Sequence, residues 1–165
     1  MKRLAIIAFG LFLSGCGEEA SAPPENNQPV PAFQAETLAG TRVDVPGDHA
    51  GRVLAIRFWA DWCPYCRKEM AELQPVYARL RGRGLEILAL NVAQDRDTVA
   101  RFVAPMGLAY PILLDPDGAV ARRYGVKSLP VTWLVDRSGV VRGKIVGEAA
   151  PEVFEAKVGA LLDEH

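Results

Sequence analysis

The chain has 165 residues, 19 basic and 20 acidic side chains for a net charge of −1, and half of its residues are hydrophobic. That length supports one core of ordinary size, and the balanced charge argues against a nucleic-acid binder or a polybasic membrane patch, both of which need a dense positive field. Three cysteines and two histidines are too few for a disulfide-stapled scaffold or a tetrahedral zinc site, His49 lying in a glycine-rich loop and His165 at the chain end.

Lys2 and Arg3, followed by an apolar stretch from Leu4 to Leu13, read as a leader rather than part of the fold. Its ten residues fall short of the roughly 20 that cross a bilayer. Leu13-Ser14-Gly15-Cys16 looks like a bacterial lipobox. On that likeness residues 1–15 are a lipoprotein signal peptide and Cys16 is the lipid-modified first residue of the mature chain, an ordinary cleaved signal being the other reading. Gly17 to Pro31 holds Pro23, Pro24, Pro29 and Pro31 among Glu, Asn, Ser and Gln. This reads as a tether with a reach of roughly 20 to 50 Å, which leaves residues 32–165 for the globular domain.

Phe33 to Leu38 and Thr41 to Val45 flank Ala39-Gly40 as a short hairpin, and Gly47 to Gly51 loops into an apolar run, Val53 to Trp59, that reads as a buried strand. Met70, Leu73, Tyr77 and Leu80 recur at helical spacing until Gly82 and Gly84. Leu85 to Asn91 is a second central strand. Asp95 opens a helix with Val99, Phe102 and Val103 on one face. A short strand, Pro111 to Leu114, is followed by a turn at Asp115-Pro116-Asp117-Gly118 and about two helical turns from Val120 to Tyr124. Val131 to Asp136 and Val140 to Val146 form a hairpin about Arg137-Ser138-Gly139, and Pro151 precedes a closing helix, Glu152 to Leu162. This order predicts a mixed sheet with helices on both faces, the final strand antiparallel.

Trp62-Cys63-Pro64-Tyr65-Cys66 joins the buried strand to the first helix. A cysteine at a helix start feels unpaired N–H groups and the positive end of the macrodipole, so its thiolate is favoured. A second cysteine three residues on can attack a mixed disulfide formed at the first and release the substrate. With Cys16 lipid-modified, no cysteine remains for a structural disulfide. The redox-active Cys63–Cys66 disulfide is the only prosthetic chemistry expected, with no cofactor and no metal.

With Phe58 to Cys66 in place and Ser128-Leu129-Pro130-Val131-Thr132 downstream, the chain resembles the thioredoxin superfamily. More narrowly, it looks like the TlpA/ResA-like thiol–disulfide oxidoreductases of the cell envelope. The narrower likeness rests on the N-terminal hairpin, on Glu69 three residues past Cys66, and on the extra helix and strand from about Asp97 to Leu114. It implies a thioredoxin fold with a central helix-strand insertion, a cis Leu129–Pro130 bond facing the cysteines, and a substrate chain paired with Leu129 and bordered by Trp62, Pro64, Tyr65 and Pro130.

The chain departs from the superfamily pattern twice. Arg57 stands where an acidic or amide residue is common, and Ala71 where a helix-kinking proline is common, which predicts a straighter helix. A cation beneath the cysteines would favour thiolate and make the disulfide a stronger oxidant. Alternatively, the Arg57 stem runs along the sheet to water. Because Arg57 and Glu69 are each costly to bury alone, a pair beneath Cys66 is expected, with the carboxylate taking or returning the resolving thiol's proton.

The resemblance implies a lipid-anchored, monomeric reductant in the periplasm, serving protein thiol and disulfide substrates such as those of cytochrome c maturation. A membrane thiol donor of the DsbD/CcdA kind would supply its electrons. An envelope oxidant or isomerase is the alternative within the same chemistry. A peroxiredoxin-type peroxidase would need Pro-x-x-x-Thr-x-x-Cys, but Ala60 stands three residues before Cys63. A copper chaperone would need Cys-x-x-x-Cys and a distal histidine.

Overall fold

The computed structural model describes residues 23–164; the leader and Cys16 lie outside them. In chain order the elements are β1 (Phe33–Thr37), β2 (Arg42–Val45), β3 (Val53–Trp59), α1 (Cys66–Leu80), β4 (Leu85–Val92), α2 (Arg96–Val103), β5 (Ile112–Asp115), α3 (Ala119–Arg123), β6 (Val131–Val135), β7 (Val141–Val146) and α4 (Pro151–Asp163). The seven strands make one sheet in the order β2-β1-β5-β4-β3-β6-β7. Its centre is parallel, β3 on β4 and β4 on β5, and both flanks are antiparallel.

Every residue of β3 is buried, because helices cover both faces of the sheet. Val53, Ala55 and Trp59 pack with α1, α2 and α4. Leu54, Ile56 and Phe58 pack with α3 and the N-terminal hairpin. On α1 the stripe Met70, Leu73, Val76, Tyr77 and Leu80 is buried, each large apolar side chain contributing about 1.5–3 kcal/mol over exposure. The thioredoxin-like frame with its extra α2–β5 unit thus follows the periodicities.

Three features differ from the sequence reading. The antiparallel step comes one strand early: β6 runs against β3, with Ile56 opposite Trp133, so β7 points the same way as β3. A parallel crossover must carry the chain back along the strands, and α3, with five residues, rises only about 7.5 Å. β6 therefore starts at the end of the sheet where β3 finishes. Second, α1 contains Pro75. Ala71 does not leave the helix free of proline, and the Ala71 carbonyl loses its helical donor.

The third correction concerns the tether. Its last part belongs to the folded domain rather than to a linker ending at Pro31. The Asn27 N–H donates to Val141 O at 2.8 Å, the Val141 N–H to Gln28 O at 2.9 Å, and the Val30 N–H to Gly139 O at 2.9 Å. Val30 is buried, and Pro29 bridges Val140. The cause is the open edge where the chain enters β7, whose unpaired backbone groups accept a neighbouring segment; a turn at Glu25–Gln28 brings that segment alongside, and Pro29 and Pro31 hold it extended.

Candidate active site

Strand alternation puts Arg57 on the face of β3 that α1 covers, the same face as Ala55 and Trp59. Glu69 occupies the first turn of α1 and is buried on that helix's inner side. The two side chains, 1% and 3% exposed, meet with Nη2 to Oε2 at 2.6 Å. Arg57 Nη1 also donates to Glu69 Oε1 and to Thr132 Oγ1, each at 3.0 Å. Thr132 is the cross-strand partner of Arg57 on β6, so three elements converge on one guanidinium. The Arg57 stem does not run to water. Both Glu69 carboxylate oxygens therefore face the guanidinium. Tyr110, whose hydroxyl donates to Met70 O at 2.7 Å, lies beside the pair, and burial pushes its phenol well above the ordinary range.

Cys63 and Cys66 are joined as a disulfide, with their Cα atoms 5.4 Å apart. α1 begins at Cys66 itself. Cys63 therefore precedes the helix rather than occupying its first turn, and its carbonyl accepts from the Cys66 N–H at 3.2 Å. Once the pair is reduced, the sulfur of Cys63 faces the free N–H groups of α1 and its thiolate is favoured. Cys63 is only 2% exposed and Cys66 fully buried. In the disulfide the sulfur of Cys63 is bonded inward to a residue of the helix.

What stands exposed is the rim. Trp62 and Tyr65 are 67% and 52% exposed, and Pro64 between the cysteines is also open. Facing them, the antiparallel register that ends at Phe58 opposite Val131 brings Pro130 to the level of Trp59. The Leu129–Pro130 bond is cis. Pro130 O accepts the Gly147 N–H at 2.9 Å, which fastens the end of β7 to this loop and sets the exposed Val146 beside it.

Sequence reasoning missed a second fastening. Gln94 Oε1 accepts from the Asp61 N–H and from Asn91 Nδ2, both at 2.9 Å, while Gln94 Nε2 donates to Asp61 Oδ1 at 2.5 Å. This clamp holds the residue just ahead of Trp62. The available signal was Asn91, a polar side chain that follows the apolar run Ile87 to Leu90 and is wholly buried. Thr132 carried a comparable signal, as the one polar residue in an apolar strand.

A strand-loop-helix cysteine pair facing a cis-proline loop is a thiol–disulfide exchange site, and comparison with known proteins agrees. The AhpC/TSA family model matches residues 27–144. The thiol-disulfide oxidoreductase ResA of Geobacillus kaustophilus is 35% identical over 152 residues, covering 92% of this chain and 86% of the relative. This chain belongs to that family. ResA of Bacillus thuringiensis subsp. konkukian is 32% identical over 131 residues, 79% of this chain and 75% of the relative. Among solved structures, a thiol:disulfide interchange protein described as DsbE from Chlorobium tepidum superposes with a TM-score of 0.79 at 28% identity, covering 84% of this chain and 99% of the other. The protein is a thiol–disulfide oxidoreductase of the ResA type, with Cys63–Cys66 as its redox pair. Thiol substrates follow from that chemistry.

Proposed function

We propose that this oxidoreductase is a reductant of exported protein disulfides, held in the periplasm at the inner or the outer membrane by lipid on Cys16. The observation that carries the exchange chemistry is the Cys63–Cys66 disulfide at the start of α1 with the buried Arg57–Glu69 pair on the same first turn; the likeness to ResA supports the reducing direction and the Leu13-Ser14-Gly15-Cys16 motif supports the lipid. In the reduced enzyme the Cys63 thiolate attacks a substrate disulfide, forming a mixed disulfide and expelling one substrate thiolate. Glu69 takes the proton of Cys66. The Cys66 thiolate then attacks Cys63 Sγ, closing the Cys63–Cys66 bond and releasing the second substrate thiolate. Two electrons pass to the substrate, and a membrane thiol donor of the DsbD/CcdA kind restores the dithiol. Leu129 pairs with the substrate backbone while Trp62, Pro64, Tyr65 and Pro130 border it. Cytochrome c haem-site cysteines are the proposed substrate class.

Because Glu69 lies against Arg57, the carboxylate offsets the cation. Arg57 then acts mainly by holding Glu69, and less by favouring thiolate. A reduction potential below about −230 mV supports the reductant reading, whereas one near about −120 mV would favour the envelope oxidant instead.

Two experiments test the proposal. Cys66→Ala expressed in the source cells accumulates mixed disulfides through Cys63, and mass spectrometry identifies cysteine pairs of exported proteins; partners drawn only from the cytoplasm would defeat it. Cys16→Ala moves the protein from the membrane to the soluble fraction. Among the described residues no helix is long and apolar enough to cross a bilayer, so a Cys16→Ala protein that still sediments with membranes would defeat the lipid anchor.

A further inference from the structure

The loop that faces the cysteines also opens onto a second groove, on the α3 side of the sheet. Tyr124, Lys127, Ser128, Trp133, Lys144 and Val146 line a space of about 190 Å³. Ser128 and Val131 flank Leu129–Pro130, and Val146 precedes the glycine that holds Pro130 O. The groove therefore begins at the residues on either side of the Leu129–Pro130 loop. Trp133, nearly buried, forms its floor, and its indole N–H has no acceptor. Lys144 Nζ stands 5.0 Å from the centroid of that ring.

The charge of this groove is one-sided. No acidic side chain lines it, although the whole chain has more acidic than basic residues. Among the described residues neither Lys127 nor Lys144 forms an ion pair with a carboxylate, whereas Lys68, Arg79 and Arg83 on the opposite face all do. A larger opening of about 500 Å³ adjoins it along β7, shares Trp133 and Lys144, and adds Lys157, Glu25 and Arg142, the last already paired with Asp136. Two unpaired ammonium groups over an aromatic floor suit a polypeptide that brings carboxylates.

We propose that this groove is a specificity site for an acidic segment of the substrate polypeptide next to its reactive cysteine. The inference rests on the reading that substrate chain pairs with Leu129. Lys127 lies two residues before Leu129, and Lys144 is opposite Trp133, four residues beyond it. At about 3.3 Å per residue, an extended substrate running from the disulfide into the groove sets its residues about two to four positions from the cysteine against these lysines. Aspartate or glutamate there meets Lys127 and Lys144.

The test uses the full-length protein, reduced and freed of reductant, in single turnover with synthetic peptides that each hold one intramolecular disulfide. Glu, Gln or Lys occupies the positions two to four residues from either cysteine. Rates are expressed relative to hydroxyethyl disulfide, a small uncharged disulfide that reports the thiol chemistry alone. The glutamate peptides should react about five times faster than the glutamine peptides at low salt, with the lysine peptides slowest, and the preference should fade as salt rises. K127Q/K144Q should abolish the preference. Equal rates for all three peptides overturn the proposal, as does a preference that survives K127Q/K144Q. The chain's own Glu18 and Glu19 are a rival occupant, because an added Cβ on Gly125, at the groove wall, would lie 2.9 Å from Pro23. A preference absent in the wild type and created by E18Q/E19Q would assign the groove to that segment and overturn its assignment to substrate. Failure to reduce hydroxyethyl disulfide defeats the proposed function itself, while its reduction without any acid preference defeats only this inference.

Discussion

Replacing Arg57 by methionine should destabilise the oxidised protein by about 3–5 kcal/mol in urea denaturation, because it strands the Glu69 carboxylate inside the core. Methionine fills much of the same space, so the loss reads the charge rather than a cavity. The Arg57→Met/Glu69→Gln protein should recover most of that loss. A neutral pair of similar volume needs no compensation for lost hydration, and buried ion pairs commonly contribute little net stability over such replacements. Thr132 Oγ1 loses its donor in both variants and so cancels between them. A loss under about 1 kcal/mol for Arg57→Met would mean that water reaches Glu69. A double variant no more stable than Arg57→Met would show that the pair does not act as a unit. The reduction potential of Arg57→Met separates the two roles weighed for this residue: a holder of Glu69 leaves the potential nearly unmoved, and a cation acting on the cysteines shifts it downward when removed.

Glu69→Gln should slow release from the mixed disulfide by about a hundredfold near neutral pH, the order expected when a positioned proton acceptor is lost. In the wild type the buried Glu69 carboxylate, on the first turn of the helix that Cys66 begins, takes the Cys66 proton as the thiolate attacks. In the variant Cys66 must lose that proton to solvent. Its release rate should then climb about tenfold per pH unit across the neutral range, because only the deprotonated thiol attacks, while the wild-type rate stays flatter. Stopped-flow measurement of release from a preformed Cys63 mixed disulfide reads this directly. Because Glu69→Gln also leaves Arg57 buried without its counter-ion, the Arg57→Met/Glu69→Gln protein serves as the folded control and should be slow in the same way. A double variant with the wild-type rate and pH profile would remove Glu69 from the proton transfer and leave it a structural role alone.

The candidate site divides along the same line as these predictions. Arg57 and Glu69 were both visible in the sequence, each as a charge where burial is expensive, and strand and helix periods alone put them on facing surfaces. Thr132 completes the arrangement from 75 residues away, and no local pattern joins it to Arg57. The Asp61–Gln94 clamp spans 33 residues. Its direction of bonding depends on how β3 and β4 align, which hydrophobic alternation does not specify for strands buried on both faces.

By itself the sequence determined the elements, the order in which they occur, and the chemistry of Cys63 and Cys66. These rest on short-range rules: a period of two or of 3.6, a capping Asp95, a proline at the first position of α4, and two cysteines at one spacing beside a helix start. Only the tertiary structure decided that β6 runs against β3, that residues 27–30 pair with the edge of β7 instead of hanging free, that Cys63 is covered in the disulfide state, and that Lys127 and Lys144 face one groove. Each of these depends on where distant segments meet in space. A helix too short to recross the sheet reverses β6, and an open strand edge captures whatever extended chain lies nearest to it. The shortness of α3 is legible in its residues, but that it reverses β6 depends on where the strands lie, and the vacancy of an edge is not written in the residues that end up using it.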